Sequence, residues 1–539
     1  MRNFTDGTRP LSSLIFYLLV LALFLISFLG LFIPIMEVDA SQYASMSQEM
    51  INSKSWLCVK DLGQDYLDKP PLLFWLSSLS IFIFGHSSWA FKLPSFIIAW
   101  ASVYFLFRLV KLYYPLGIAQ LAALVYASSV AFILFTNDIR TDTLLISFVI
   151  LAVWQLANYI EHLHFKNLCI GSIALGLAML AKGPIGLVVP VLALAPHLLL
   201  KGKIKVLLQW KNVLAPLIIL LVLSPMLLGL YEQWGAHGIR FFFWEQSFGR
   251  ITGENVWAND ATHFYFLHNI AWAFLPFTVF LLSGLLYFGI HFKNQREYIS
   301  FFGFILPFIA LSFSQYKLPH YIYIVIPFAA IISANYISNW RRERGKMDSL
   351  ISIFQTIIIL ALFLTGLVLI YFFEAKLWYF IYIPIMGLIL FLGLALYQLK
   401  SFLIYASFLA FLTTSLVLNG LAYPKLLQYQ SSSEAALYIS HENKASLPVY
   451  QLNIWWRAFH YYSGGIVPEF SDNTMLENKA VLVFTNQEGF LALKENYTVI
   501  LVKEFPQFSV TRLSFNFLNP KTRAQTLSFN YLLKIQKKP

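Results

Sequence analysis

Between Glu37 and Trp75 the chain places Glu37, Asp39, Glu49, Asp61, Asp65, Asp68 and Lys69 directly after a long apolar run. A carboxylate in such a stretch could accept or orient a proton on an attacking hydroxyl, and an ammonium could hold an anion. Lys69 is followed by Pro70 and Pro71, whose rings fix the local backbone and so hold the amine in place, an arrangement suited to a phosphate. Farther on, Asn137-Asp138-Ile139-Arg140 leads into Asp142 at the start of another apolar run. Asp39 and Asp142 are therefore carboxylates at helix ends, candidates for general-base or acceptor-positioning work. The competing reading makes Asp142 a helix cap and Asp39 a solvated interfacial charge. Arg140, Arg240, Arg250 and Lys317 add cations that could bind phosphate oxygens or snorkel to lipid headgroups.

Metal chemistry has weaker support. Glu232, Glu245, Glu254, His237, His263, His268 and His320 are ligating types, but no HExxH or other metal spacing occurs, so the sequence admits a divalent metal without pointing to one. The two cysteines, Cys58 and Cys169, fall near opposite membrane faces and are not expected to pair. Phe241-Phe242-Phe243-Trp244 reads as an interfacial belt rather than a sugar platform.

The elements that must position these residues are membrane spans. Of 539 residues, 58% are hydrophobic and only 12% charged, with mean hydropathy +0.67, too little polar surface for a soluble protein. The net charge of +12 lies in short basic clusters between apolar runs, which orients helices in a membrane and excludes nucleic acid as a partner. Arg2 and Arg9 hold the N-terminus in the cytoplasm, so the run from Leu11 to Met36, too long for a cleaved signal, delivers the acidic stretch outside. Leu72–Phe84 is short and bounded by prolines and Gly85, and reads as a surface helix.

Twelve further spans are expected near 88–110, 116–136, 143–160, 167–181, 184–200, 212–231, 263–290, 298–314, 320–339, 349–373, 378–398 and 401–422, about thirteen in all. That parity places Arg108/Lys111, Lys166, Lys201 to Lys211, Lys293/Arg296, Arg341 to Lys346 and Lys400 in the cytoplasm. It gathers Asp138, Arg140, Asp142, Lys182, the loop from Glu232 to Asp260, Lys317 and His320 on the outer face with the acidic stretch. The predicted organisation is a mainly α, polytopic domain over 1–422, with surface helices in a first outer loop at 37–87. A C-terminal α/β outer domain follows over 423–539, carrying strand-like runs at Lys479–Phe484 and Tyr497–Val502.

Together these segments resemble the bacterial GT-C membrane glycosyltransferases, in particular the lipid A aminoarabinose transferase and protein O-mannosyltransferase group. The motifs carrying the resemblance are Asp39 with Tyr43, "LDKPPLLFW", Asp142, Lys182-Gly183, "FFFWEQSFGR" and "YKLPHY", in order over most of 30–330. The resemblance implies a GT-C fold of about thirteen spans and a sugar transfer from a polyprenyl-phosphate donor to a lipid A, glycan or protein acceptor, with inversion. It implies a monomer among membrane lipids in the bacterial inner membrane, with its active site and C-terminal domain periplasmic. Residue by residue, Asp39 and Asp142 become the catalytic or acceptor-positioning carboxylates. Lys69, Arg250 and Lys317 become donor-phosphate contacts, and Tyr43, Glu37, Tyr321 and Glu245 pocket residues. Two positions depart from the family: Ala40 stands where it has a second acid, and Gln246 where the aminoarabinose enzyme has a metal-binding His. A zinc site is therefore not carried over, and Asp68 and Glu245 are the remaining candidate metal ligands. The alternative reading is a lipid-linked sugar transporter or flippase, against which stands the clustering of charge at one end of the spans rather than at the midplane.

Overall fold

A computed structural model of the chain describes residues 12–245, 261–342, 347–395, 399–443, 447–471, 473 and 480–538. Each predicted apolar run coincides with a helix, a helix with a short distorted turn, or a bent helix pair. Eight helices are long and apolar enough to cross a membrane, or up to ten if each of two bent pairs counts as one span, among the described residues. The protein is a multi-pass membrane protein. Two predicted spans are not straight: Leu116–Ala127 and Val130–Asn137 meet at 53°, and Tyr265–Ala273 and Thr278–Ile290 at 117°. Ile185–Leu200 and Ile299–Ser312 are shorter apolar helices.

The first eight helices build the region of interest: α1 (Ser13–Leu29), α2 (Asp39–Ser53), α3 (Leu72–Phe84), α4 (Ser88–Tyr113), α5 (Leu116–Ala127), α6 (Val130–Asn137), α7 (Thr141–His162) and α8 (Phe165–Lys182). Serines set several starts, since Ser12, Ser87 and Ser129 each accept an amide hydrogen bond from the first turn of α1, α4 and α6. α3 has 13 residues and would extend only ~20 Å, less than a bilayer core.

The C-terminal end of α1 is clamped from three sides. Lys92 of α4, fully buried, donates to the carbonyls of Gly30 at 3.1 Å and Ile33 at 2.8 Å. Asn419 donates to Ile26 O at 2.9 Å and accepts from Asn137 of α6 at 2.7 Å. Glycine at position 30 leaves room for this bond, because a Cβ would lie 2.0 Å from the Asn137 side-chain oxygen and displace it. These bonds satisfy carbonyls that a helix end leaves without partners in a medium that has no water to offer.

Beyond the clamp, the first loop docks on the C-terminal domain. Short strands β1 (Lys60–Asp61) and β2 (Gln64–Asp65) form a hairpin through Leu62 and Gly63, both at positive φ, and both turn amides donate to Glu49 of α2 at 2.8 Å. The C-terminal sheet runs in the order β3 (Val449–Leu452), β4 (Ala480–Asn486), β6 (Ser528–Lys537), β5 (Tyr497–Gln507), with only β3 and β4 parallel. On one face Val481, Val483, Leu533 and Ile535 pack under the helix Gln487–Asn496. On the other, Leu482, Phe484, Leu532 and Phe505 join the core that continues into the membrane helices. Phe459 of the helix Arg457–Tyr462 stacks on Phe484 at 4.7 Å.

That helix grips the loop. The buried Glu37 carboxylate accepts from Ala458 N at 2.8 Å, from Ser432 Oγ at 3.3 Å and from Ser41 Oγ. Gln430 accepts from Glu37 N and donates to Ile35 O, each at 2.9 Å. Arg457 forks onto both oxygens of Asp61 at 3.1 Å, and Tyr462 accepts from Ile35 N at 2.8 Å. Glu37, expected as a pocket residue, is instead part of this docking.

Burial pushes the Glu37 pKa above the ordinary carboxylate value, and its hydrogen bonds only partly oppose that rise. The folded protein therefore holds this proton more tightly than the unfolded chain. The contribution to stability is full below the unfolded value of ~4.3 and declines as pH rises through the folded value. Glu37→Gln should flatten the fall in thermal stability above about pH 5. Melting curves of wild type and variant that shift in parallel with pH would contradict this.

Candidate functional site

Five segments meet around a cavity of about 420 Å³. The first loop brings Met36, Val38 and Asp39, the first residue of α2. The end of α6 and start of α7 bring Leu134, Phe135, Asp138, Arg140 and Asp142. The stretch before the helix Ile326–Arg342 brings Tyr316, Leu318, Pro319, His320 and Tyr323. Tyr423 and Thr511 complete the wall.

The polar side chains form two linked groups. In one, Arg140 donates through Nη1 to Asp39 and through Nε to Asp138 Oδ2 at 2.9 Å. In the other, Lys182 at the end of α8 donates to Asp142 Oδ1 at 2.6 Å. The His320 ring lies between them, with Nδ1 3.4 Å from Arg140 Nη1 and Nε2 3.8 Å from Asp142 Oδ2. Lys182 also stands 4.1 Å over the ring of Tyr321. Both acids sit in the first turn of their helices.

Exposure separates the two acids. The Asp39 side chain is 37% exposed, that of Asp142 only 7% with Lys182 at 12%. Asp39 can therefore meet a molecule in the cavity, while Asp142 is held by its partner. Asp142 does not itself cap α7, whose N-cap is Arg140 without a capping side-chain bond. Tyr43 lies behind Asp39, fully buried against Phe74, and burial with the Asp39 charge pushes its phenol well above the ordinary value. It stays a neutral hydroxyl.

The structure does not bring the remaining candidates to this wall. Lys69 pairs with Asp68 at 2.5 Å and lines a separate cavity of about 20 Å³, room for a water molecule, though its charge is within electrostatic reach of His320. Lys317 is buried and donates to Ala261 O at 3.0 Å. Tyr321 packs under Lys182 rather than on the wall, and Glu245 sits 3.4 Å from Arg240. Arg250 and Gln246 lie outside the described residues. Among the described residues, no three His, Cys, Asp or Glu side chains gather as a metal set, and Asp68 and Glu245 each face a cation. Thr511, Met36 and Tyr423 were not singled out from sequence. No local signal marks Thr511 or Tyr423, which reach the cavity through the docking of distant segments, while Met36 reads in sequence as the end of the first apolar run.

Comparison with known proteins bears on this arrangement. The sequence model described as dolichyl-phosphate-mannose-protein mannosyltransferase matches residues 68–228. Undecaprenyl phosphate-alpha-4-amino-4-deoxy-L-arabinose arabinosyl transferases are similar to the chain. That of Pseudomonas savastanoi pv. phaseolicola is 26% identical over 61% of the chain and 62% of its own length. That of Serratia proteamaculans is 27% identical over 68% and 67%. The match thus spans less than two thirds of the Pseudomonas relative. The crystal structure of ArnT from Cupriavidus metallidurans bound to undecaprenyl phosphate superposes with a TM-score of 0.76, at 17% identity, over 97% of this chain and 98% of that one. The apo form gives 0.73. The chain has the GT-C fold, with a small C-terminal sheet domain.

The Asp142–Lys182 pair gives a direct test of the site's electrostatics. Lys182→Met leaves a buried carboxylate without its partner and should cost about 3–5 kcal/mol. Adding Asp142→Asn should recover much of that loss. Additive losses in a thermal double-mutant cycle would show that the pair is not coupled as described.

Proposed function

We propose that this protein is a glycosyltransferase that moves a sugar from a polyprenyl-phosphate donor to a lipid-borne acceptor at the outer face of the bacterial inner membrane. The observation that carries the reading is Asp39: a partly open carboxylate on a 420 Å³ cavity, oriented by an arginine that Asp138 holds from its other side. The similar proteins are named as transferases that use undecaprenyl phosphate-linked aminoarabinose, which favours that donor class. Lipid A is the acceptor implied by the motif resemblance carried by Asp39, "LDKPPLLFW" and "YKLPHY".

In the transfer, the acceptor oxygen attacks the anomeric carbon while the bond from that carbon to the phosphate oxygen breaks. The bonding electrons leave with the phosphate, and polyprenyl phosphate is released. Arg140 is the cavity's own cation for that developing charge. Its Nη1 and Nε are engaged by carboxylates, and no partner reaches Nη2 among the described residues. Preorganised charge of this kind, in a site shielded from water, is worth several kcal/mol in favourable cases. Lys69 adds longer-range positive potential, and Lys317 holds the Tyr316–His320 wall in place. An attacking hydroxyl passes its proton to Asp39, whereas an acceptor phosphate is already ionised and needs only orientation. Asp142, fixed by Lys182, acts as the positioning carboxylate behind His320.

Asp39→Asn should lower transfer to lipid A by about 10²-fold, the loss expected when a reacting group is no longer held in line, while the protein remains folded in membranes. The assay is release of free undecaprenyl phosphate by purified protein given undecaprenyl phosphate-linked aminoarabinose and lipid A. Wild-type turnover in the variant removes Asp39 from the mechanism. Movement of intact donor across the membrane without release would favour a transporter instead.

A further inference from the structure

The stretch from Phe508 to Arg523 belongs in sequence to the C-terminal domain, yet it reaches the cavity. It leaves β5 at Gln507, turns with the Arg512 amide donating to Ser509 O at 2.9 Å, and enters the short helices Phe515–Leu518 and Pro520–Arg523. Its base is tied down. Arg523 Nη2 donates to Phe372 O at 2.6 Å and its Nε to Phe517 O at 3.0 Å. Phe508 stacks on Phe517 at 3.8 Å, and Phe515 meets Phe372 edge-on at 5.9 Å. Phe372 is the last residue of the apolar helix Asp348–Phe372, so the stretch is fixed where a membrane-crossing helix ends.

From this base the chain presents an ordered series. Thr511 is on the cavity wall that also holds Asp39. Arg512 follows, exposed and without an ion pair among the described residues. Leu513 and Phe515 are then 48% and 69% exposed. A hydroxyl in the cavity, a guanidinium on the next residue that meets no carboxylate among the described residues, and two exposed apolar side chains farther along match a molecule with a polar head, an anionic group and acyl chains. Arginine suits the anionic group because its planar fork pairs with phosphate oxygens, and exposed apolar side chains at a membrane edge have lipid as their natural cover.

We propose that Thr511–Phe515 is the acceptor-selecting rim of the cavity. Arg512 receives the phosphate of an acylated sugar phosphate, Thr511 sets the headgroup beside Asp39, and Leu513 with Phe515 follow the acyl chains. The proposal rests on the transferase reading above. The occupant is the acceptor rather than bulk glycerophospholipid, because the rim and the candidate reacting carboxylate share one cavity.

The test places a photoactivated benzophenone side chain at position 511 of the full-length protein in bacterial membranes and identifies the attached lipid by mass spectrometry. The expected adduct is an acylated sugar phosphate, absent when the same label replaces Leu491, an exposed residue on the helix Gln487–Asn496. Arg512→Glu should reduce the adduct by about tenfold, the loss expected for one charge-assisted hydrogen bond. In parallel, Arg512→Ala should raise KM for lipid A by about tenfold with the donor KM unchanged, and Arg512→Lys should restore part of it. An adduct with glycerophospholipid alone, no lipid adduct, or one indifferent to Arg512→Glu overturns the rim. Release of undecaprenyl phosphate by wild type without the adduct also overturns the rim and leaves the transferase reading standing. The adduct without any transfer sinks that reading instead, and with it the acceptor role.

Discussion

The arrangement of the cavity depends on one guanidinium. Arg140 stands in the turn between α6 and α7 and joins Asp138, its near neighbour in sequence, to Asp39, which arrives from the first loop. A charge this enclosed is costly unless it is paired and hydrogen-bonded. Two carboxylates supply the pairing. Burial opposes the charge on Arg140, but Asp138 and Asp39 outweigh it and hold its pKa above the ordinary value. Removing either acid from its position leaves a charge partly unmet, so whatever fixes the first loop also fixes the cavity.

Two sets of contacts do that fixing, one at each end of the approach to Asp39. Below, Lys92, Asn137 and Asn419 fasten the end of α1 against the helix that leads into Asp138. Above, Glu37, Ile35 and Asp61 are bound by the C-terminal domain through Ala458, Gln430, Tyr462 and Arg457. Asp39 follows closely after the anchored Ile35 and Glu37. The C-terminal domain is thus a structural partner of the cavity, and through Thr511 it also forms part of the wall. A change in its packing far from the cavity would reach Asp39 through Glu37.

Sequence reasoning reached the parts of this arrangement that are local. Apolar runs marked the membrane-crossing helices among the described residues, because length and hydropathy decide what can cross a bilayer. Bends were not legible: the run 263–290 reads as one span, whereas tertiary packing folds it at 117°. Asp39 and Asp142 stood out because acids at helix starts beside apolar runs are unusual in type and place. Their different roles did not, since burial depends on partners such as Lys182, forty residues away. Lys69 looked available for a phosphate because Pro70 and Pro71 hold it, but Asp68 next to it takes its ammonium. Glu37 looked like a pocket acid because it sits two residues from Asp39, and its actual bonds run to Ala458, 421 residues on. Strand-like runs were visible in the C-terminal domain, while the sheet order, which brings Thr511 to the cavity, was not.

The central claim is that Asp39 and Arg140 act as one unit on the transferring sugar. The most direct measurement is a double-mutant cycle on the single-turnover rate of undecaprenyl phosphate release, using Asp39→Glu, Arg140→Lys and both together, variants mild enough to leave a measurable rate. If the pair works as described, the double variant is little slower than the slower single one, because either change already breaks the shared geometry. Losses that simply multiply would mean the two residues act independently, and would contradict the account.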